Sequence, residues 1–301
     1  MDKQFIKTLM EELLFPAEAV TDLSEKADKI CAEAEQDFDA AEKFFSENDF
    51  NWKETAPLLK AISEKTGVHE YQVHMLFILA CAKNLRAAFA KKGISDRIFL
   101  DTMEDAQYKL FECKEVHGIW GTFVAFWYDI FFKENLVKLG RLEFENVTST
   151  KEEVYEKYGV RIEKGTPVKS LHIPSCGPLP LDVRMESYRH AYEFFKDELN
   201  GKPLVCICHS WLLHSSVRSI LSPTSNTVDF MNDFDIIETE DSEEFHDKWR
   251  IFGKDSEKPD NELPEDTSMR RAYKKWLSEG KKTGAGLGVL IFDGEKLLTR
   301  E

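Results

Sequence analysis

Two histidines carry the first chemical signal in this sequence. His172 closes the segment VKSLH, and His209 follows the short apolar run LVCIC. Both segments read as strands, and both histidines fall near strand carboxyl ends, where open mixed sheets bind ligands. Imidazole as a class titrates near neutral pH, so each is a candidate general base. Glu143, on the polar side of RLEFE, is a third candidate. The plainer readings are a packed histidine bonded to backbone and a solvated strand glutamate.

Between the histidines lies LHIPSCGPLPLD, residues 171–182. It leaves a strand and enters a helix. Proline is favoured at a first helical position, and Asp182 suits the positive end of the helix dipole. Gly177 permits backbone conformations that other residues resist. Such a loop gathers N–H groups at a helix N-terminus, which is a physical anion site. Pro174, Pro178 and Pro180 have no N–H, leaving Ser175, Cys176, Gly177, Leu179 and Leu181 as donors. A rigid turn before a helix is the plainer alternative. The segment is neither a Walker loop nor a GxGxxG fingerprint.

Cys176 is a candidate proton donor to a leaving thiolate, or a nucleophile if a base is in reach. Ser210 and Trp211 are candidate substrate contacts, with Trp211 reading better as core. Cys206, Cys208 and His209 invite a zinc reading. No second ligand pair with metal spacing accompanies them, so no metal is expected.

These residues need elements to hold them. From Met1 to about Leu136 apolar residues recur at helical spacing: Phe5, Leu9 and Leu13, then Leu58, Leu59 and Ile62, then Met75, Leu76, Leu79 and Leu85. Gly67 and Gly93 mark helix stops, and Ser95 can cap the next helix. GIWGTFVAFWYDIFF, residues 118–132, is the most apolar run. It is too short to span a bilayer and contains Asp129, so it predicts a buried helix.

Near Lys138 the pattern changes. LGRLEFENV alternates Leu142 and Phe144 with Arg141, Glu143 and Glu145, predicting a strand with one wet face. GTPVKSLHIP, KPLVCICHSW and TVDFMNDFDIIETE predict further strands. PLDVRMESYRHAYEFFKDEL, SEEFHDKWRIF and SMRRAYKKWLSE have helical spacing. GAGLGVLIFDGEKLLT predicts a strand with a DG turn. Residues 255–268 are polar, acidic and proline-bearing, a surface loop. Some strands are neighbours in sequence, which fits a mixed sheet better than an alternating βαβ array. The expected fold is α+β, with an all-α helical bundle over residues 1–136 and a mixed α/β domain over residues 137–301.

A net charge of −15 argues against nucleic acid, which needs a basic face, but leaves room for one small basic pocket. The start carries Glu11 and Glu12 where a signal peptide would be apolar. The six cysteines show no disulfide-framework spacing and are expected as reduced thiols. The expectation is a cytoplasmic protein without membrane association.

GRLEFE, LHIPSCGPL, a helix ending in YEFFKDEL, CHSWLL and SNTVDFMNDFDI together resemble a family of two-domain bacterial acyltransferases. These pair an all-helical N-terminal domain with a GNAT-like C-terminal domain. The likeness covers most of the chain. It is strongest from Gly140 to Ile236, and before Leu136 it rests on helical character. The resemblance implies that the pantetheine of an acyl-CoA enters the gap between two splayed strands, here those ending at Ile173 and Cys208. The pyrophosphate would rest on the Ser175 to Leu179 loop, with Ser175, Cys176, Gly177, Leu179 and Ser210 as cofactor-binding residues. The usual loop, Q/R-x-x-G-x-G/A, has more free amides than this proline-flanked one. The implied activity is acyl-CoA-dependent N-acyl transfer to a small acceptor by direct attack, with His209, His172 and Glu143 as candidate bases. Two alternatives stand beside it: a GNAT-derived binding module without catalysis, and a cysteine-dependent enzyme centred on Cys176.

Overall fold

A computed structural model describes residues 1–300, and its internal contacts separate Met1–Val137 from the residues that follow Val137. The first unit is all helical: α1 (Lys3–Glu12), α2 (Ala17–Glu47), α3 (Trp52–Thr66), α4 (Glu70–Lys91), α5 (Asp96–Met103), α6 (Asp105–His117) and α7 (Asp129–Phe132). Ser95 caps α5 as expected, its hydroxyl accepting from the Ile98 N–H at 3.3 Å. α4 is the core helix, with Val73, Met75, Leu76, Ile78 and Leu79 fully buried. Its Phe77 packs edge-on against Phe38 and Phe45, at centroid distances of 5.7 and 5.4 Å. Among the described residues α4 alone is long and apolar enough to cross a membrane; here its apolar surface packs against α1, α2 and α3.

Residues 118–132 do not form the single buried helix that their composition predicts. α6 ends at Gly118, and bends follow before a 3-10 turn at Ala125–Tyr128 and then α7. The cause is close approach. A Cβ on Gly121 would lie 2.5 Å from the Tyr71 carbonyl oxygen, and the Thr122 N–H donates to that same oxygen at 3.0 Å. The chain is pressed onto the first turn of α4, leaving no room for a helix of its own. Asp129, the charge inside the apolar run, accepts the Trp52 N–H at the start of α3 at 3.1 Å.

The second unit is built on a six-stranded sheet in the order β1-β2-β5-β6-β8-β7. Its strands are β1 (Leu136–Leu139), β2 (Leu142–Thr148), β5 (Pro167–His172), β6 (Leu204–Ser210), β7 (Asp235–Ser242) and β8 (Thr283–Phe292); β3 (Tyr155–Lys157) and β4 (Val160–Ile162) form a separate hairpin. β5 and β6 are parallel, while β2–β5, β6–β8 and β7–β8 are antiparallel. The sheet is therefore mixed, as the strand spacing predicts.

The β5–β6 crossover carries α8 (Leu181–Phe194) and α9 (Lys196–Leu199). On that face Tyr188 packs on Phe292, and Lys169 reaches Glu198 at 2.7 Å while lying over the Phe195 ring. On the other face the hairpin packs Tyr155 and Ile162 against Val168, Val289 and Ile291. Arg141 and Glu143 are buried at 9% and 1% exposure, so the start of β2 does not have the wet face its alternation predicts.

Three other segments differ from expectation. TVDFMNDFDIIETE divides into α11 (Asn226–Met231), capped by Ser225, and β7; α10 (Val217–Ile220) precedes it. SEEFHDKWRIF is helical only in α12 (Lys248–Phe252). The 255–268 segment, read as surface, buries Leu263 in a small core with Ile251, Phe252 and Tyr273, the last on α13 (Ser268–Ser278).

Candidate active site

The parallel pairing of β5 and β6 is short. Lys169 pairs with Cys206 and Ser170 with Ile207, and the register then stops. β5 continues to His172 and β6 to Ser210, later than the expected end at Cys208. The outer edges stay paired over these same residues: His172 lies opposite Glu143 of β2, and Ser210 opposite Gly286 of β8. Both strands are thus held from outside while an unpaired gap opens between them.

Strand alternation places His172, Glu143 and Glu145 together on the face that also carries the hairpin. The His172 Nε2 lies 2.8 Å from a Glu145 carboxylate oxygen. His209 points to this face from β6, two residues past the last paired residue, as His172 is on β5. His209 is exposed. The structure therefore brings His172 and Glu143 together and sets His209 across the gap. Glu145, read from sequence only as the polar side of a strand, is the imidazole's carboxylate partner. The register (Glu145 opposite Ser170, two residues before His172) is the signal that would have found it.

The Ser175–Leu179 loop is held by its carbonyls. Arg141 donates to the Gly177 oxygen at 2.7 Å and to the Pro178 oxygen at 3.2 Å, and Arg184 donates to the Leu179 oxygen. In a trans peptide the C=O and the following N–H point opposite ways. The Leu179 N–H therefore faces away from Arg141. Gly177 sits at φ +107°, in the region that glycine alone enters readily.

The Cys176 N–H donates to the Pro174 oxygen at 2.9 Å, which corrects its place among the available donors. The Cys176 thiol contacts the Arg141 carbonyl at 3.9 Å, and among the described residues no histidine holds it. Gly177 and Leu179 make no backbone hydrogen bond of their own among the described residues. α8 has no side-chain cap, and its first backbone bond is Arg184 N–H to Pro180, so the Leu181, Asp182 and Val183 amides precede the helical ladder. The Ser210 hydroxyl accepts from the Leu212 N–H at 3.2 Å, capping the turn after β6. Trp211 packs on Phe245 and Tyr273, as its core reading predicts.

Arg184 is the support behind this loop. It is fully buried and bridges Asp233, also fully buried, at 2.6 Å and Asp229 at 2.8 Å. Tyr188 donates to Asp233 at 2.9 Å, and Arg300 joins both carboxylates. Burial works against the charge on Asp229, but hydrogen bonds from Arg184 and Arg300 hold its carboxyl below the ordinary value. Two guanidinium groups and two carboxylates balance, so the network is neutral. Sequence reading found neither Arg141 nor Arg184, because their partners lie 36 and 49 residues away in the chain.

Cys206 and Cys208 face away from His209. Burial pushes both thiols up, that of Cys208 to about 12, and both side chains lie buried on the face opposite His209. His214 is buried between Ser216 at 2.8 Å and Asp241 at 3.1 Å, tying the segment after β6 to β7.

Parallel strands that part before a loop and an open helix N-terminus define a GNAT-like domain. The model of the GNAT-like C-terminal domain matches residues 136–290, and that of the N-acyltransferase N-terminal domain matches residues 4–133. The chain belongs to this family of two-domain acyltransferases.

Comparison with curated proteins gives no match. Among solved structures, an acyltransferase in complex with decanoyl-CoA and teicoplanin superposes with a TM-score of 0.70 at 22% identity, covering 95% of this chain and 87% of that one. A mutant acyltransferase in complex with octanoyl-CoA gives 0.69 at 21% identity, covering 94% and 86%. An acyltransferase with CoA and 10C-teicoplanin gives the same values. At this identity the likeness concerns the fold.

Proposed function

We propose that the protein moves the acyl group of an acyl-CoA onto an amine of a small acceptor, by direct attack in the gap between β5 and β6. The observation that carries this reading is the end of the β5–β6 register at Ser170 and Ile207, one loop away from the uncapped start of α8. A diphosphate suits the Gly177 and Leu179 amides and the first turn of α8. α8 lies on one face and His172 on the other, so an arm running from the diphosphate through the gap delivers its thioester to His172. Unpaired strand edges also suit an arm bearing amides, which can pair there like an added strand.

In the reaction the acceptor nitrogen attacks the thioester carbonyl. A C–N bond forms and the C–S bond breaks. The proton lost by the amine passes to His172, and the departing thiolate takes a proton to leave as free CoA. Glu143 and His209 flank this site. The decanoyl-CoA and octanoyl-CoA complexes of similar structures support a medium-length acyl chain, and the teicoplanin complex supports a small-molecule acceptor. Reduced thiols and an acyl-CoA substrate support a cytoplasmic setting. The competing binding-module reading rested on the amides lost to proline. With Gly177, Leu179 and the α8 first turn still offering donors, no observation favours it.

The test is release of CoA thiol on mixing the protein with acyl-CoAs of two to ten carbons and a panel of amines. Acceptor-dependent release that is lost in His172→Ala supports the proposal. Release that needs no acceptor, or that His172→Ala leaves intact, contradicts it.

A further inference from the structure

The structure assigns Glu145 as the residue that orients His172 and sets which of its nitrogens is basic. This rests on the proposed role of His172. Glu145 lies on β2, two residues from Glu143 and therefore on the same face, and its carboxylate meets His172 Nε2 at 2.8 Å. The contact is largely sheltered: the two side chains are 20% and 16% exposed. A carboxylate only accepts hydrogen bonds, so the neutral imidazole that faces it carries its proton on Nε2. The lone pair then belongs to Nδ1, and this is the nitrogen that takes the acceptor's proton. As Nδ1 is protonated the ring becomes an imidazolium, and the Glu145 charge lies beside it without having to move.

Both partners are fixed by the sheet. Glu145 pairs with Ser170 and His172 pairs with Glu143, so the carboxylate and the ring are diagonal neighbours on adjacent antiparallel strands. Ser170 is also the last β5 residue to pair with β6. The dyad thus stands where the gap opens. Glu143 on β2 and His209 on β6 face the same side of the sheet. Glu145 does not touch the reacting atoms, and so it is a positioning residue.

The test is nitrogen-15 NMR of His172 in the full-length protein at a pH where the ring is neutral, without substrate. The wild type is expected to show the Nε2–H tautomer, and Glu145→Ala a mixture of the two. Glu145→Gln keeps an oxygen acceptor and is expected to keep the tautomer. In turnover, Glu145→Ala is expected to lower kcat roughly tenfold to a hundredfold, part of what general base catalysis supplies, with KM changed little. Glu145→Gln is expected to recover most of that loss. A wild-type ring protonated on Nδ1, or an unchanged kcat in Glu145→Ala, overturns the assignment. The NMR result is independent of substrate, so a wild type that transfers nothing counts against the proposed reaction and not against the dyad.

Discussion

Ser170 of β5 and Ile207 of β6 are the last partners in a parallel register, while their outer neighbours keep both strands paired to the end. The gap beyond them is therefore a fixed feature of the sheet. It places His172 and His209 on opposite sides of one opening.

These two histidines differ in their support. His172 is held by Glu145, whereas His209 is exposed at the rim. His172→Ala is expected to reduce kcat about a hundredfold or more, the scale of a lost general base. His209→Ala is expected to act mainly on KM, by less than about tenfold. Steady-state kinetics of the two variants separate these outcomes.

Gly177 at φ +107° is a second point of control. Gly177→Ala places a Cβ in a strained backbone region, at about 1–2 kcal/mol. The strain falls on the loop that offers the Gly177 and Leu179 amides. CoA affinity is expected to fall about tenfold in this variant, read by calorimetry. Arg141→Ala frees the Gly177 and Pro178 carbonyls and is expected to weaken CoA binding similarly.

Much of this was legible in the sequence. The helical N-terminal half, the mixed sheet, the strands carrying His172 and His209, and the loop between them follow from local period and from proline and glycine placement. Local pattern failed where distant chain intrudes. Residues 118–132 are apolar enough for a helix, yet Tyr71 forbids it at Gly121. Arg141 and Glu143 alternate like a wet face, yet their surroundings bury them. Glu145, Arg141 and Arg184 act through partners that only the sheet register and the α8 packing bring near.

The buried Arg184–Asp233 pair makes a stability prediction. Asp233→Ala leaves a buried guanidinium short of its main partner and is expected to cost about 3–5 kcal/mol. Thermal unfolding measures this. The Asp229 carboxyl is held below its ordinary value by Arg184 and Arg300 despite its burial, so its contribution is present above the unfolded-state value of 3.8. That contribution fades as pH falls through the lower folded-state value. Asp229→Asn is expected to destabilise at pH 7 and to narrow its difference from wild type in strong acid.

Glu42, in the helical unit, has the opposite sign. Burial pushes its carboxyl up from 4.5 to about 7. The folded state therefore binds a proton more tightly than the unfolded chain does, and stability declines as pH rises from about 4.5 to 7. Glu42→Gln removes that penalty. It is expected to stabilise the protein at pH 8 by no more than about 3 kcal/mol and to be nearly neutral at pH 4, as read by denaturant unfolding at both values.

The most direct measurement is a calorimetric titration of the full-length protein with CoA and, separately, with pantetheine. If the diphosphate sits on the Gly177–Leu179 loop and the start of α8, CoA binds at least tenfold more tightly than pantetheine, and the difference shrinks in Gly177→Ala. No CoA binding at millimolar concentration, or equal affinity for both compounds, would contradict the account.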